Sequence, residues 1–176
     1  MRACVGCVLL PESMQKGKKT DMSKIKQNKI SDLSASHKAV HEDYEYYKKA
    51  FVPRGYADKT MVSIYEVPPL KSAYPYHFHL KNEETIYILS GEGILKTPDG
   101  ESTVSAGDLL FFPANNEGAH KLTNSSATEP LVYIDFDVVH DLDVTMYPDS
   151  NKIGVWGKDT NKTYPLESNV DYYKGE

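Results

Sequence analysis

Apolar residues along this chain recur mainly at every second position, in short runs separated by Gly, Pro and Asx residues. Met61 to Val67, MVSIYEV, alternates, is rich in β-branched and aromatic side chains and ends at Pro68-Pro69, which predicts a strand. Glu66 shares a face with Val62 and Ile64 and is expected to point into water. From Glu84 the period is again two, with Ile86 and Ile88 on the carboxylate's face, Tyr87 and Leu89 on the other, and Gly91 and Gly93 closing the run. Ile94 to Thr97 and Glu101 to Val104 flank Pro98-Asp99-Gly100, a hairpin signal. A Gly107-Asp108 turn precedes Leu109 to Phe112, which Pro113 ends, and His120, Leu122 and Asn124 fall on one side of the next alternating segment. Leu131 to Val139, LVYIDFDVV, is the strongest strand. Its face of Val132, Ile134, Phe136 and Val138 is expected to meet the core, and Tyr133, Asp135 and Asp137 are expected to face solvent. Short strands spaced in this way predict an all-β sandwich or barrel over residues 60–140.

The flanks read differently. Residues 1–21 look like an extension outside the fold or an incorrectly assigned start, since Met22 opens an ordinary beginning, MSKIKQNKISDL. Cys4 and Cys7 form a CxxC, the spacing of zinc and redox sites, but no second pair supports it. Residues 22–59 are polar and charged and predict a short strand or irregular arm. His37 and His41 stand four apart, with no third ligand continuing a helical face, and are expected to be surface residues. Residues 141–176 form a tail expected to pack on the barrel or on a partner subunit, covering an otherwise open strand edge; His140 is expected at the surface.

Length and charge narrow the functional class. The 176 residues suit one domain with a sizeable core. A net charge of -5 argues against a nucleic-acid or anionic-membrane footprint, and no apolar stretch approaches the length of a membrane-spanning helix. The cysteines are confined to positions 4 and 7, so the body of the chain is compatible with the cytoplasm, the expected compartment.

The candidate chemistry lies in PYHFHLKNEETIYILSGEG, residues 75–93. On an extended strand His77 and His79 project from one face and can share a ligand. With a nearby carboxylate they suit a first-row transition metal in the manner of a two-histidine, one-carboxylate site. Glu84 and Glu83 are both available.

At these residues the chain resembles the cupin superfamily. Its first motif, G(x)5HxH(x)3-4E(x)6G, is met by His77, His79, Glu84 and Gly91, with Lys71 where the first glycine would stand; only Glu84, not Glu83, keeps six residues to Gly91. Its second motif, G(x)5PxG(x)2H(x)3N, is represented by Gly107, Pro113, His120 and Asn124, with the inner glycine displaced to Gly118, so the loop before His120 is shaped differently. The resemblance covers residues 60–140. It implies a double-stranded β-helix, the jelly-roll cupin barrel, here with an N-terminal extension. It also implies a divalent Fe, Mn, Ni or Zn ion on His77, His79, Glu84 and His120, and a homodimer. Relatives include dioxygenases, oxalate-degrading enzymes, sugar isomerases and lyases, so the expectation is a metal-dependent enzyme acting on a small oxygen-bearing molecule, an organic acid or sugar. The alternatives are a binding or sensing module and a metal-free isomerase or epimerase. Tyr76, Tyr87 and Asp135 are the candidate acid or base residues.

Overall fold

The computed structural model describes residues 24–176, so the segment 1–21 and the Cys4/Cys7 pair lie outside the described residues. The chain is all-β, as expected. Strands β1 (Ser36–His41), β2 (Tyr44–Val52), β3 (Thr60–Val67), β5 (Glu84–Ser90), β8 (Leu109–Phe112) and β10 (Leu131–Val138) form a six-stranded sheet in the order β1-β2-β3-β10-β5-β8. Opposite it lie a sheet of β7 (Gly100–Ser105), β6 (Glu92–Thr97) and β9 (Lys121–Asn124), and a four-stranded sheet of β13 (Asn161–Pro165), β12 (Lys152–Gly157), β11 (Leu142–Tyr147) and β4 (Phe78–His79). The core between the sheets contains Tyr65, Val67, Ile86, Ile88, Leu95, Val104, Phe112, Leu122, Leu131 and Tyr133.

The predicted hairpin forms, β6 pairing with β7 from Glu92↔Ser105 to Thr97↔Gly100. Two glycines hold positions that a side chain would disturb. Gly91 has φ +85 and a Cβ there would lie 2.5 Å from the Pro130 carbonyl. Gly118, the displaced glycine, packs so closely on Pro113 that a Cβ would sit 2.0 Å from its carbonyl oxygen. The loop before His120 therefore folds back on the strand-ending proline.

Two flanking segments join the barrel sheets. The β1–β2 hairpin extends the large sheet, with Tyr47 opposite Glu66 and Lys49 opposite Ile64 of β3. His37 and His41 lie exposed on β1, and His37 stacks on Tyr47 at 4.3 Å and contacts Glu45. Tail strand β11 pairs with β4, placing Thr145 opposite His79. His140 is exposed, its amide donating to Asn82 Oδ1 at 3.0 Å.

The faces of β10 correct the expectation from its pattern. Tyr133 and Asp135 are buried and Asp137 is half-buried, whereas Phe136 and Val138 are exposed. Register explains it. Tyr133 lies opposite Ile88, Asp135 opposite Ile86 and Asp137 opposite Glu84, and laterally paired residues share a face. Because β5 turns Glu84, Ile86 and Ile88 inward, the aspartates of β10 must also turn inward, and its apolar residues cover the outside of the sheet. Glu66 is exposed, as its register required. No helix among the described residues is long and apolar enough to cross a membrane.

Candidate metal centre

His77 and His120 face each other across an antiparallel bridge, each amide donating to the other's carbonyl at 3.1 and 2.8 Å. Their rings lie 4.7 Å apart, and the ring of His79 is 5.2 Å from that of His77. Glu84 opens β5 beside them, with Oε2 3.4 Å from His120 Nε2. Ligand atoms of His77, His79 and Glu84 all fall within 4.8 Å of one another. Glu84 is buried, whereas Glu83 is exposed and outside this cluster. Phe112, paired with Glu84 on β8, stacks on the His120 ring at 3.7 Å and limits its rotation.

The outer ring nitrogens supply the decisive detail. His77 Nδ1 donates to the Pro75 carbonyl at 2.8 Å, His120 Nδ1 to the Gly118 carbonyl at 2.9 Å, and His79 Nδ1 to Asp143 Oδ2 at 2.5 Å. Carbonyls and carboxylates accept only, so each Nδ1 carries a proton and, in the neutral imidazole, Nε2 holds the lone pair. Histidine metal ligands are oriented in this way by a second layer of acceptors. The donor set therefore fits a first-row divalent ion. Asp143 is almost wholly buried, and its Oδ1 also accepts from the amides of Lys81 and Asn82 at 3.0 and 3.3 Å. Thr145 Oγ1 lies 3.1 Å from His79 Nδ1 and accepts from Trp156 Nε1 at 2.8 Å.

The electrostatics follow from burial and charge. Burial, then the neighbouring His120, bring His77 down to about 3, so it is neutral at ordinary pH. Burial opposes ionisation of Glu84, but His120 and the other imidazoles outweigh it and bring the carboxyl down to about 2. Burial likewise works against charge on His79 and Asp143. Their mutual hydrogen bond prevails, raising the imidazole and lowering the carboxyl.

A cavity of about 520 Å³ opens from His77, His79 and Glu84, while His120 is not among its lining residues. Asp135 and Asp137 line it, and oxygens of Glu84, Asp135 and Asp137 also lie within 4.8 Å of one another. Burial, followed by the Glu84 charge, pushes Asp135 well above the usual carboxylate range and Asp137 up to about 7. Asp135 Oδ1 is buried with no hydrogen-bond partner among the described residues. Of the other candidate acid or base residues, Tyr76 packs under Lys96 at 4.4 Å and is not among the cavity-lining residues, and Tyr87 lies on the face of β5 away from Glu84. Tyr65 and Tyr74 line the cavity instead, their hydroxyls 2.9 Å apart. Asp143, Thr145 and Trp156 carried no signal in the sequence, because their approach to His79 depends on the pairing of β11 with β4.

Residues 63–137 match the cupin domain family. This segment is a cupin domain. Among solved structures, a candidate sugar phosphate isomerase of Acidithiobacillus ferrooxidans is 25% identical with a TM-score of 0.71, over 81% of this chain and 91% of that one. A sugar phosphate isomerase from a cupin superfamily in Silicibacter pomeroyi is 13% identical with a TM-score of 0.72, over 81% and 94%. The polyketide cyclase RemF of Streptomyces resistomycificus is 22% identical with a TM-score of 0.54, over 66% and 81%. The last two likenesses show the fold. No curated protein matches the sequence.

Proposed function

We propose that the protein is a divalent-metal-dependent enzyme acting on a small oxygen-bearing molecule, sugar-like or an organic acid. Its metal, Fe, Mn, Ni or Zn, would be held by His77, His79, Glu84 and His120. The observation that carries this reading is the commitment of all three Nδ1 atoms to acceptors, with ligand atoms of His77, His79 and Glu84 within 4.8 Å of one another and His120 Nε2 3.4 Å from Glu84 Oε2. The likeness to the Acidithiobacillus protein favours isomerisation of a sugar-like substrate within that class. When bound, the metal would supply Lewis-acid polarisation of a substrate oxygen. The chain's own groups would do the rest. Asp137, pushed up to about 7, is suited to take and return a proton near neutral pH. Asp135, held protonated by burial, has hydrogen-bonding capacity to spare for a substrate oxygen.

A metal-free isomerase is favoured by one contact, the 3.4 Å approach of Glu84 to His120, which a proton-transferring pair would also use. Metal content separates the two. Protein purified without an affinity tag or chelator should hold about one equivalent of one of these metals by plasma mass spectrometry, and His77→Ala should lose it with the β fold kept. No metal in the wild type, even after reconstitution, removes the metalloenzyme reading.

The chain is also proposed to form a homodimer through the outer face of the large sheet. There Phe111 and Phe136 flank Thr85 in register, and Leu109 and Val138 extend an exposed apolar surface.

A further inference from the structure

Four cationic side chains, Lys38, Lys48, Arg54 and Lys152, line the cavity that holds the imidazole cluster. All four come from outside residues 63–137: Lys38 from β1, Lys48 from β2, Arg54 from the turn after β2, and Lys152 from the start of β12. The four residues proposed to hold the metal come from inside that segment. The cupin core thus supplies the imidazoles and carboxylates, and the flanking strands supply the positive charge.

None of the four cations forms a salt bridge with a described residue. Two are braced against aromatic walls of the same cavity, Lys48 at 5.0 Å from the Tyr65 ring and Lys152 at 5.6 Å from the Tyr147 ring. Lys48 is half-buried, and the loss of water lowers its pKa despite Asp135 and Asp137 nearby. A desolvated ammonium without an ion pair is costly and calls for an anion. The lining carboxylates, Glu84, Asp135 and Asp137, number three against four cations. In a chain of net charge -5, this is a local reversal of sign. Lys38 and Arg54 are exposed, which places the positive charge toward the open side of the cavity.

We propose that Lys38, Lys48, Arg54 and Lys152 form an anion subsite that holds the phosphate group of a small phosphorylated substrate, with its oxygen-bearing carbons reaching the imidazole cluster. A phosphate monoester carries close to two negative charges and three acceptor oxygens, enough for several cations at once, whereas a carboxylate carries one charge and is matched by a single arginine. The cavity's volume lies within the range that accepts a small ligand of this kind. This deepens the proposed metal-assisted reaction and rests on that site being the substrate's.

The test uses the full chain and its single tryptophan, Trp156, which lines the cavity and reports on it. Inorganic phosphate is titrated at constant ionic strength, with acetate and glycerol in parallel, by tryptophan fluorescence and calorimetry. Metal content is measured on the same samples. Phosphate should bind saturably, acetate at least about tenfold more weakly, and glycerol without saturation. Lys48→Met with Arg54→Gln should weaken phosphate by about tenfold or more while metal content stays unchanged. Lys38→Gln with Arg54→Gln, both exposed, provides a pair with little bearing on folding and should weaken it in the same direction. Absence of saturable phosphate binding in the wild type, or unchanged affinity in both double variants, overturns the proposal. Equal affinity for acetate overturns its phosphate assignment. Loss of metal with phosphate binding retained would count against the metalloenzyme reading alone.

Discussion

Replacing Asp143 by asparagine tests whether the cluster is built to hold a metal, because the substitution keeps shape and removes one acceptor. Asp143 uses both oxygens: Oδ2 takes the His79 Nδ1 proton at 2.5 Å, and Oδ1 takes the Lys81 and Asn82 amides at 3.0 and 3.3 Å. In Asp143→Asn the side chain has one acceptor and one donor end. If its oxygen stays on the two amides, its NH2 faces Nδ1, and His79 must move its proton to Nε2, the atom needed by the metal. If the amide flips, its NH2 confronts two backbone N–H donors, those of Lys81 and of the buried Asn82. Loss of such an orienting partner typically weakens metal binding 10–100-fold, about 1.4–2.8 kcal/mol. An unpaired buried donor adds a stability cost of about 1–3 kcal/mol. Competition against a chelator of known affinity measures the first, and urea unfolding of the metal-free protein measures the second. Wild-type metal affinity in Asp143→Asn, with the fold intact, would refute the argument that Asp143 fixes the tautomer of His79.

Two further outcomes follow from the same geometry. Asp137 is raised to about 7, so relative to the unfolded chain its contribution is fully present below the ordinary carboxylate range and lost as pH rises toward 7; the melting temperature of the metal-free protein should fall over that interval, and Asp137→Asn should flatten the decline. A profile unchanged by the substitution would mean that Asp137 is not the group responsible. On the outer face, Phe111 is 61% exposed beside Leu109 at 72%, so Phe111→Lys should convert a dimer to a monomer in light scattering after size exclusion, and a monomeric wild type would remove the dimer proposal.

The legible part of the site was its local part. His77 and His79 share a face because strand side chains alternate, and Glu84 is in phase with Ile86 and Ile88 for the same reason. The choice of Glu84 over Glu83 rested on its six-residue spacing to Gly91, which is also local. By the same phase Tyr87 falls on the face of β5 opposite Glu84. Asp143 could not be found in this way, since 64 residues separate it from His79. Nor could the four cations, which meet only when the β1–β2 hairpin and the tail close around the cavity.

Between residues 60 and 140 the side-chain pattern was enough for the strands, the turns and which residues share a face, because these depend on neighbours a few positions away, whereas the flanking strands β1, β2 and β11 to β13 carried no such signal. Tertiary structure alone decided which face of β10 is inside. Burial of apolar surface favours turning Val132, Ile134, Phe136 and Val138 inward, and an isolated strand offers no reason to do otherwise. Hydrogen-bonded register with β3 and β5 on either side overrides that preference, because reversing one strand's faces would require slipping both ladders by a residue. Tyr133 consequently joins the core, Asp135 and Asp137 reach the cavity, and the displaced apolar residues form the outer surface proposed for a second copy of the chain.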